Sequence, residues 1–174
     1  MKSHRPRGQA VVKTWKDYLP LIVLLVVTAV AAVAKNEAYE TGIQWRTWMQ
    51  DFMGYFFVTF ATLKLFDLPG FVDGFHMYDL LARAVRPYGY IYPFIELALG
   101  LGFLSERDPS VICATTVIVM VFGALGVINA LRRGLDLHCA CMGNILKVPL
   151  SVVALGEDLG MAAMAAGMWL ARPT

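Results

Sequence analysis

Long apolar runs alternate with short basic or turn-rich stretches from residue 18 onward. Five of them, 18–34, 52–66, 88–105, 109–131 and 148–171, qualify as transmembrane helices. Between the second and third, Leu68-Pro69-Gly70 breaks the helix. From Phe71 the apolar positions Phe75, Tyr78, Leu81 or Ala82, and Val85 then recur at helical spacing, opposite Asp79 and Arg83. That stretch is too short to span, so it predicts an amphipathic helix on the inner membrane surface, with Asp73 as its cap. Arg86-Pro87 starts the next span. Gly123 and Gly126 allow close helix contact in the fourth span, and Gly156 and Gly160 repeat the small-x-x-x-small spacing in the fifth. The expected fold is an all-α membrane protein: a four-helix transmembrane bundle, one N-terminal transmembrane helix and a short interfacial amphipathic helix.

Composition excludes the soluble alternative. Hydrophobic residues make up 58% and charged residues 16% of 174 positions, with a mean hydropathy of +0.59. The chain divides into a basic N-terminus at 1–17, an N-terminal transmembrane helix or uncleaved signal anchor at 18–34, and a bundle over 50–171. Ala32-Val33-Ala34 before Lys35 has the small-residue pattern of a signal cleavage site, and the first span reads as a retained anchor. Tyr39, Trp45 and Trp48 suit a headgroup boundary. Lys2, Arg5, Arg7, Lys13, Lys16, Lys64, Arg83, Arg86, Arg132, Arg133 and Lys147 fall on one side, against Lys35, Arg46, Arg107 and Arg172 on the other. The richer side is expected to be cytoplasmic. This gives a multi-pass protein of a bacterial-type inner membrane, with the N-terminus and the 139–141 loop inside and the C-terminus outside. The net charge of +2 is an anchoring bias; lipid is the expected partner and nucleic acid is not.

The chemistry-bearing motif is His138-Cys139-Ala140-Cys141-Met142-Gly143, between the last two spans. Two thiols one residue apart close a strained, easily reduced disulfide, pass electrons, or grip a soft ion such as Cu(I), with His138 or Met142 as further ligands. Cys113, in an apolar run, reads as a packing residue. Glu96, Glu157 and Asp158 lie near the middle of spans, where each charge costs about 2.5–3.5 kcal/mol unless paired, protonated or facing a polar cavity. A proton relay or a ligand site is one reading; a buried ion pair fixing helix register is the other. Lys64 has Asp67 as a local partner, or Asp158 or Glu157 across the bundle. Met161, Met164 and Met168 extend the Glu157 stripe, as a thioether path or as pliable packing.

Phe66-Asp67-Leu68-Pro69-Gly70-Phe71, Met77-Tyr78-Asp79, Tyr92-Pro93-Phe94-Ile95-Glu96, the Cys139/Cys141 motif, and Leu150 through Glu157-Asp158 together resemble the MauE/DoxX group of redox-associated membrane proteins, over roughly residues 50 to 170. The resemblance implies a four-helix membrane bundle that handles thiols or disulfides, with Cys139, Cys141, Glu96, Glu157 and Asp158 as its site. MauE-like members are associated with maturation of the disulfide-rich small subunit of methylamine dehydrogenase, which implies a thioredoxin- or glutaredoxin-like partner and a client protein. The leading expectation is a thiol-disulfide relay, with the intramembrane carboxylates handling protons or binding a quinone. A Cu(I)-type carrier and a non-catalytic assembly factor are the alternatives.

Overall fold

The computed structural model describes residues 18–39, 42, 44–105, 109–133 and 150–171. Their regular structure is helical throughout: α1 (Leu19–Tyr39), α2 (Trp45–Phe66), α3 (Leu68–Tyr78), α4 (Leu80–Ala84), α5 (Arg86–Leu104), α6 (Pro109–Arg132) and α7 (Leu150–Leu170). By length and apolarity, α1 and α6 each suffice to cross a membrane, and α2 with α3 makes a third candidate bent by 107°. At 1.5 Å per residue α5 and α7 reach about 28 and 31 Å, enough for a hydrocarbon core, with their apolarity diluted by Glu96 and by Glu157 and Asp158. The chain is an all-α membrane protein.

The bundle is built from two helix pairs, α2 with α5 and α6 with α7, while α1 lies along α2. Gly54 and Gly100 make the α2–α5 crossing tight: a Cβ on Gly100 would lie 2.8 Å from the Val58 amide nitrogen and 3.0 Å from the Gly54 carbonyl. Between the pairs sits one apolar core of Met53, Phe56, Phe57, Phe60, Phe103 and Cys113 with Met120, Met161 and Met168. The methionines of α7 therefore fill irregular space against aromatic rings, as unbranched thioether chains do. A second core, Phe71, Val72, Phe75, Tyr78 and Tyr92 with Val127 and Ala130, fixes α3 to α5 and α6.

The amphipathic segment differs from expectation. It forms two helices, and their caps are Asp67 and Asp79: Asp67 accepts from the Gly70 amide at 3.1 Å, and Asp79 from those of Leu81 and Ala82 at 2.9 and 2.7 Å. Asp73 caps nothing and forms an exposed ion pair with Arg86. Asp79 leaves the polar face predicted for it because its carboxylate is consumed by the cap, which draws it into the protein. Gly156 and Gly160 also depart from their expected role, since no described atom lies within 4 Å of a Cβ at either. The close approaches fall at Gly54, Gly100, Gly123 and Gly126 instead, where the Leu104 side chain, a neighbouring backbone or a carboxylate fills the missing side chain's place.

Candidate functional site

Helix α2 runs to Phe66 before the break at Asp67, and this leaves Lys64 in its last turn, aimed into the bundle. Its ammonium is almost wholly buried and donates to both carboxylate oxygens of Glu96, on the inner face of α5. The local alternative, Asp67, is occupied as the α3 cap, so the pairing runs between helices. Lys64 Nζ also lies 5.6 Å from the centre of the Phe71 ring and 5.3 Å from that of Tyr92, within cation–π range. A charge held this way is neutralised by its partner and solvated by ring faces in place of water.

Glu157 and Asp158 approach the same point from the other helix pair. They line one cavity together with Lys64 and Glu96, walled by aromatic side chains from α2, α3 and α5, Phe60, Phe71 and Tyr92 among them. The cavity offers about 30 Å³ to the centre of a water-sized sphere, which is room for one or two waters. Asp158 reaches it because Gly123 on α6 has no side chain: a Cβ there would lie 3.0 Å from Asp158 Oδ2. Glu157 Oε1 is buried and accepts no hydrogen bond from the described residues. An unsatisfied buried oxygen is costly, and a water in the cavity is the economical donor.

The four intramembrane residues singled out in the sequence, Lys64, Glu96, Glu157 and Asp158, thus converge on one centre. Cys139, Cys141, His138 and Met142 lie outside the described residues, in the segment that joins α6 to α7. Cys113 is buried in the core beside Met120. Among the described residues no group of three or more His, Cys, Asp or Glu side chains is placed to hold a metal ion. His76 caps the elbow, its Nδ1 2.7 Å from the Ala82 carbonyl oxygen.

Three features of the structure escape sequence reasoning. The aromatic walls read as ordinary core periodicity. Asp79, outside the membrane-crossing segments, is buried against α6, and burial raises its carboxyl above the usual range while the Ala82 and Leu81 amides pull the other way. Finally, Lys35 pairs with buried Asp51 at 2.6 Å, at the end of the bundle away from Lys64. Asp51 stands six residues after Trp45, in a stretch whose aromatics suggested only an interface.

A helical membrane bundle with a charged, aromatic-walled centre between two helix pairs is the class of protein that these observations define. Within that class, residues 44–171 match the family described as Methylamine utilisation protein MauE, and the chain belongs to that family. It is 30% identical over 87 residues to the Methylamine utilization protein MauE of Methylorubrum extorquens, covering 49% of this chain and 47% of that one. It is likewise 30% identical over 120 residues to the protein of the same name from Paracoccus denitrificans, covering 66% of this chain and 62% of that one. The matched stretches thus span about half to three fifths of these relatives. No solved structure matches the chain.

Proposed function

We propose that the chain is a membrane-embedded thiol–disulfide component that supports maturation of a disulfide-containing partner in methylamine utilisation. In this reading Cys139 and Cys141 are the reacting pair. One thiolate attacks a sulfur of a partner's disulfide and releases the partner's second sulfur as a thiolate. The other cysteine resolves the mixed disulfide, so two electrons and two protons pass from this dithiol to the partner, and the reverse sequence oxidises the partner. The electron donor or acceptor is a thioredoxin- or glutaredoxin-like protein, on the cytoplasmic side if the basic residues set the orientation.

The observation that carries this reading is the position of the charged centre. Val127 and Ala154 line its cavity. They lie about 9 Å and 6 Å along their helices from Arg133 and Leu150, between which the cysteine-bearing segment runs. Polar groups and space for water a few turns from the helix ends that flank the thiol segment suit proton delivery to an exchanging thiol. The size of the cavity favours this role over quinone binding, since it is an order of magnitude below the ~300–1,000 Å³ of small-molecule sites.

The test is complementation in a methylamine-using bacterium lacking its own family member, combined with alkylation trapping of the cysteines in intact cells. A Cys139→Ser/Cys141→Ser double variant should reach the membrane at normal levels and lose function, and the wild-type pair should change between alkylatable and protected forms on adding diamide. Full function of the double variant would leave the assembly-factor reading; a purified protein that protects its cysteines with stoichiometric copper would replace redox by metal binding.

A further inference from the structure

We propose that Arg83, Arg132 and Arg133 form a clamp for the phosphate of an anionic phospholipid, at the end of the bundle where the segment bearing Cys139 and Cys141 begins. The proposal rests on no thiol chemistry and stands whether or not those cysteines react.

Packing brings the three arginines to one place. The junction of α3 and α4 sits against Gly126 of α6, where a Cβ would lie 3.2 Å from both the Asp79 Cα and the Tyr78 carbonyl oxygen. Beyond that contact, Ala82 of α4 and Val127 and Ala130 of α6 are buried in one apolar cluster. The arginines follow these residues directly: Arg83 comes next after Ala82, and Arg132 and Arg133 come two and three positions after Ala130. All three are exposed. The Arg133 amide still donates to the Asn129 and Ala130 carbonyls, at 3.2 and 3.1 Å, so its position is set by the last turn of α6.

Among the described residues no carboxylate pairs with Arg83, Arg132 or Arg133, whereas nearby Arg86 is engaged by Asp73 at 2.6 Å. The C-terminal end of α6 contributes about half a negative charge, against three whole positive ones. The surplus calls for an anion, and guanidinium groups hold phosphate through paired hydrogen bonds. Exposed apolar side chains among the arginines decide which kind of anion. Leu81 is 38% and Val85 49% exposed on either side of Arg83, and Leu131, next to Arg132, is 38% exposed. A hydrophilic anion gains nothing from these side chains, whereas a phospholipid covers them with the first methylenes of its chains while its phosphate meets the arginines. Depth agrees. The 24 residues of α6 reach about 36 Å, more than a hydrocarbon core of about 30 Å, so Arg132 at its end stands among the headgroups. Cys139 follows Arg133 by six positions, and a headgroup held here fixes where the thiol-bearing segment leaves the bilayer.

The test is the melting temperature of the full chain in detergent, freed of co-purified lipid as checked by phosphorus assay. It is titrated with dioleoylphosphatidylglycerol, with dioleoylphosphatidylcholine, and with inorganic phosphate. Phosphatidylglycerol should raise it saturably and the other two should not. Arg83→Gln and Arg133→Gln should each raise the half-saturating lipid concentration about fivefold, the loss expected for one charge at an anionic surface. Arg86→Gln removes the same charge from a residue already paired with Asp73 and should leave that concentration unchanged. An equal effect of all three variants, or equal stabilisation by phosphatidylcholine, would overturn the clamp, because charge or acyl chains alone would then account for binding. Stabilisation by inorganic phosphate as strong as by the lipid, or no response to phosphatidylglycerol, would overturn it too.

Discussion

Lys64 and Glu96, thirty-two positions apart, meet as a buried ion pair joining the end of α2 to the middle of α5. Removing Lys64 leaves Glu96 beside Glu157 and Asp158 with its cation gone, which costs about 3–5 kcal/mol where buried pairs have been broken. Lys64→Met should lower stability on that scale, and Glu96→Gln should lower it less, because Glu157 and Asp158 line the same cavity. The Lys64→Met/Glu96→Gln double variant should lose clearly less than the sum. Melting curves in detergent, arranged as a double-mutant cycle, measure the coupling.

Gly123 and Gly100 should respond differently to the same added methyl group. At Gly123 the obstacle is the Asp158 carboxylate, so Gly123→Ala displaces a side chain at the charged centre; at Gly100 it is backbone of α2, which cannot retreat. Gly123→Ala should therefore cost about 1 kcal/mol or less while impairing complementation, and Gly100→Ala about 1–3 kcal/mol or more. Equal loss of folded protein in both would contradict the assignment of Gly123 to the site.

Asp79 gives a pH dependence with a definite sign. Its folded carboxyl binds the proton more tightly than the unfolded one, because burial outweighs the amides of Ala82 and Leu81. That contribution to stability is complete below the ordinary Asp value of about 3.9 and is lost as pH rises through the raised value. Asp79→Asn keeps a capping oxygen and carries no charge. Melting temperatures measured across the acid-to-neutral range should fall less steeply in this variant than in wild type.

Orientation is a separate expectation. With most Lys and Arg on the inner side, alkaline phosphatase fused after Thr174 should be active and a fusion after Arg133 inactive. The opposite pattern would invert the topology and put Cys139 and Cys141 on the outer face.

Much of this architecture is legible in the chain. Long apolar runs specify the crossing helices because lipid leaves the backbone no other way to satisfy its hydrogen bonds. The convergence of Lys64, Glu96, Glu157 and Asp158 follows from the same logic, since a charge that cannot face lipid must face its neighbours. Which partner Lys64 takes was not legible. Asp67 is nearer in sequence, and only the use of its carboxylate as the α3 cap removes it from competition. Periodicity puts Asp79 on a polar face because it assumes one continuous helix, and the break at Asp79 resets the helical phase. The α2–α5 crossing at Gly54 and Gly100 was hidden for another reason: glycines are frequent in membrane helices, and only tertiary structure tells which of them meet.

The place of Lys64 in the last turn of α2 bears on how the protein is made. When α2 enters the membrane, α5 still lies behind it along the chain and Glu96 has not reached the bilayer. A lysine at a helix end can wait in that interval with its amine extended to the headgroups, a posture closed to a charge at mid-helix. Lys35 and Asp51, sixteen residues apart, need no such interval, for they arrive together on one helical hairpin. Biogenesis thus has an order written into it, with the Lys35–Asp51 pair closing early and the Lys64–Glu96 pair drawn in only once the third long helix is delivered.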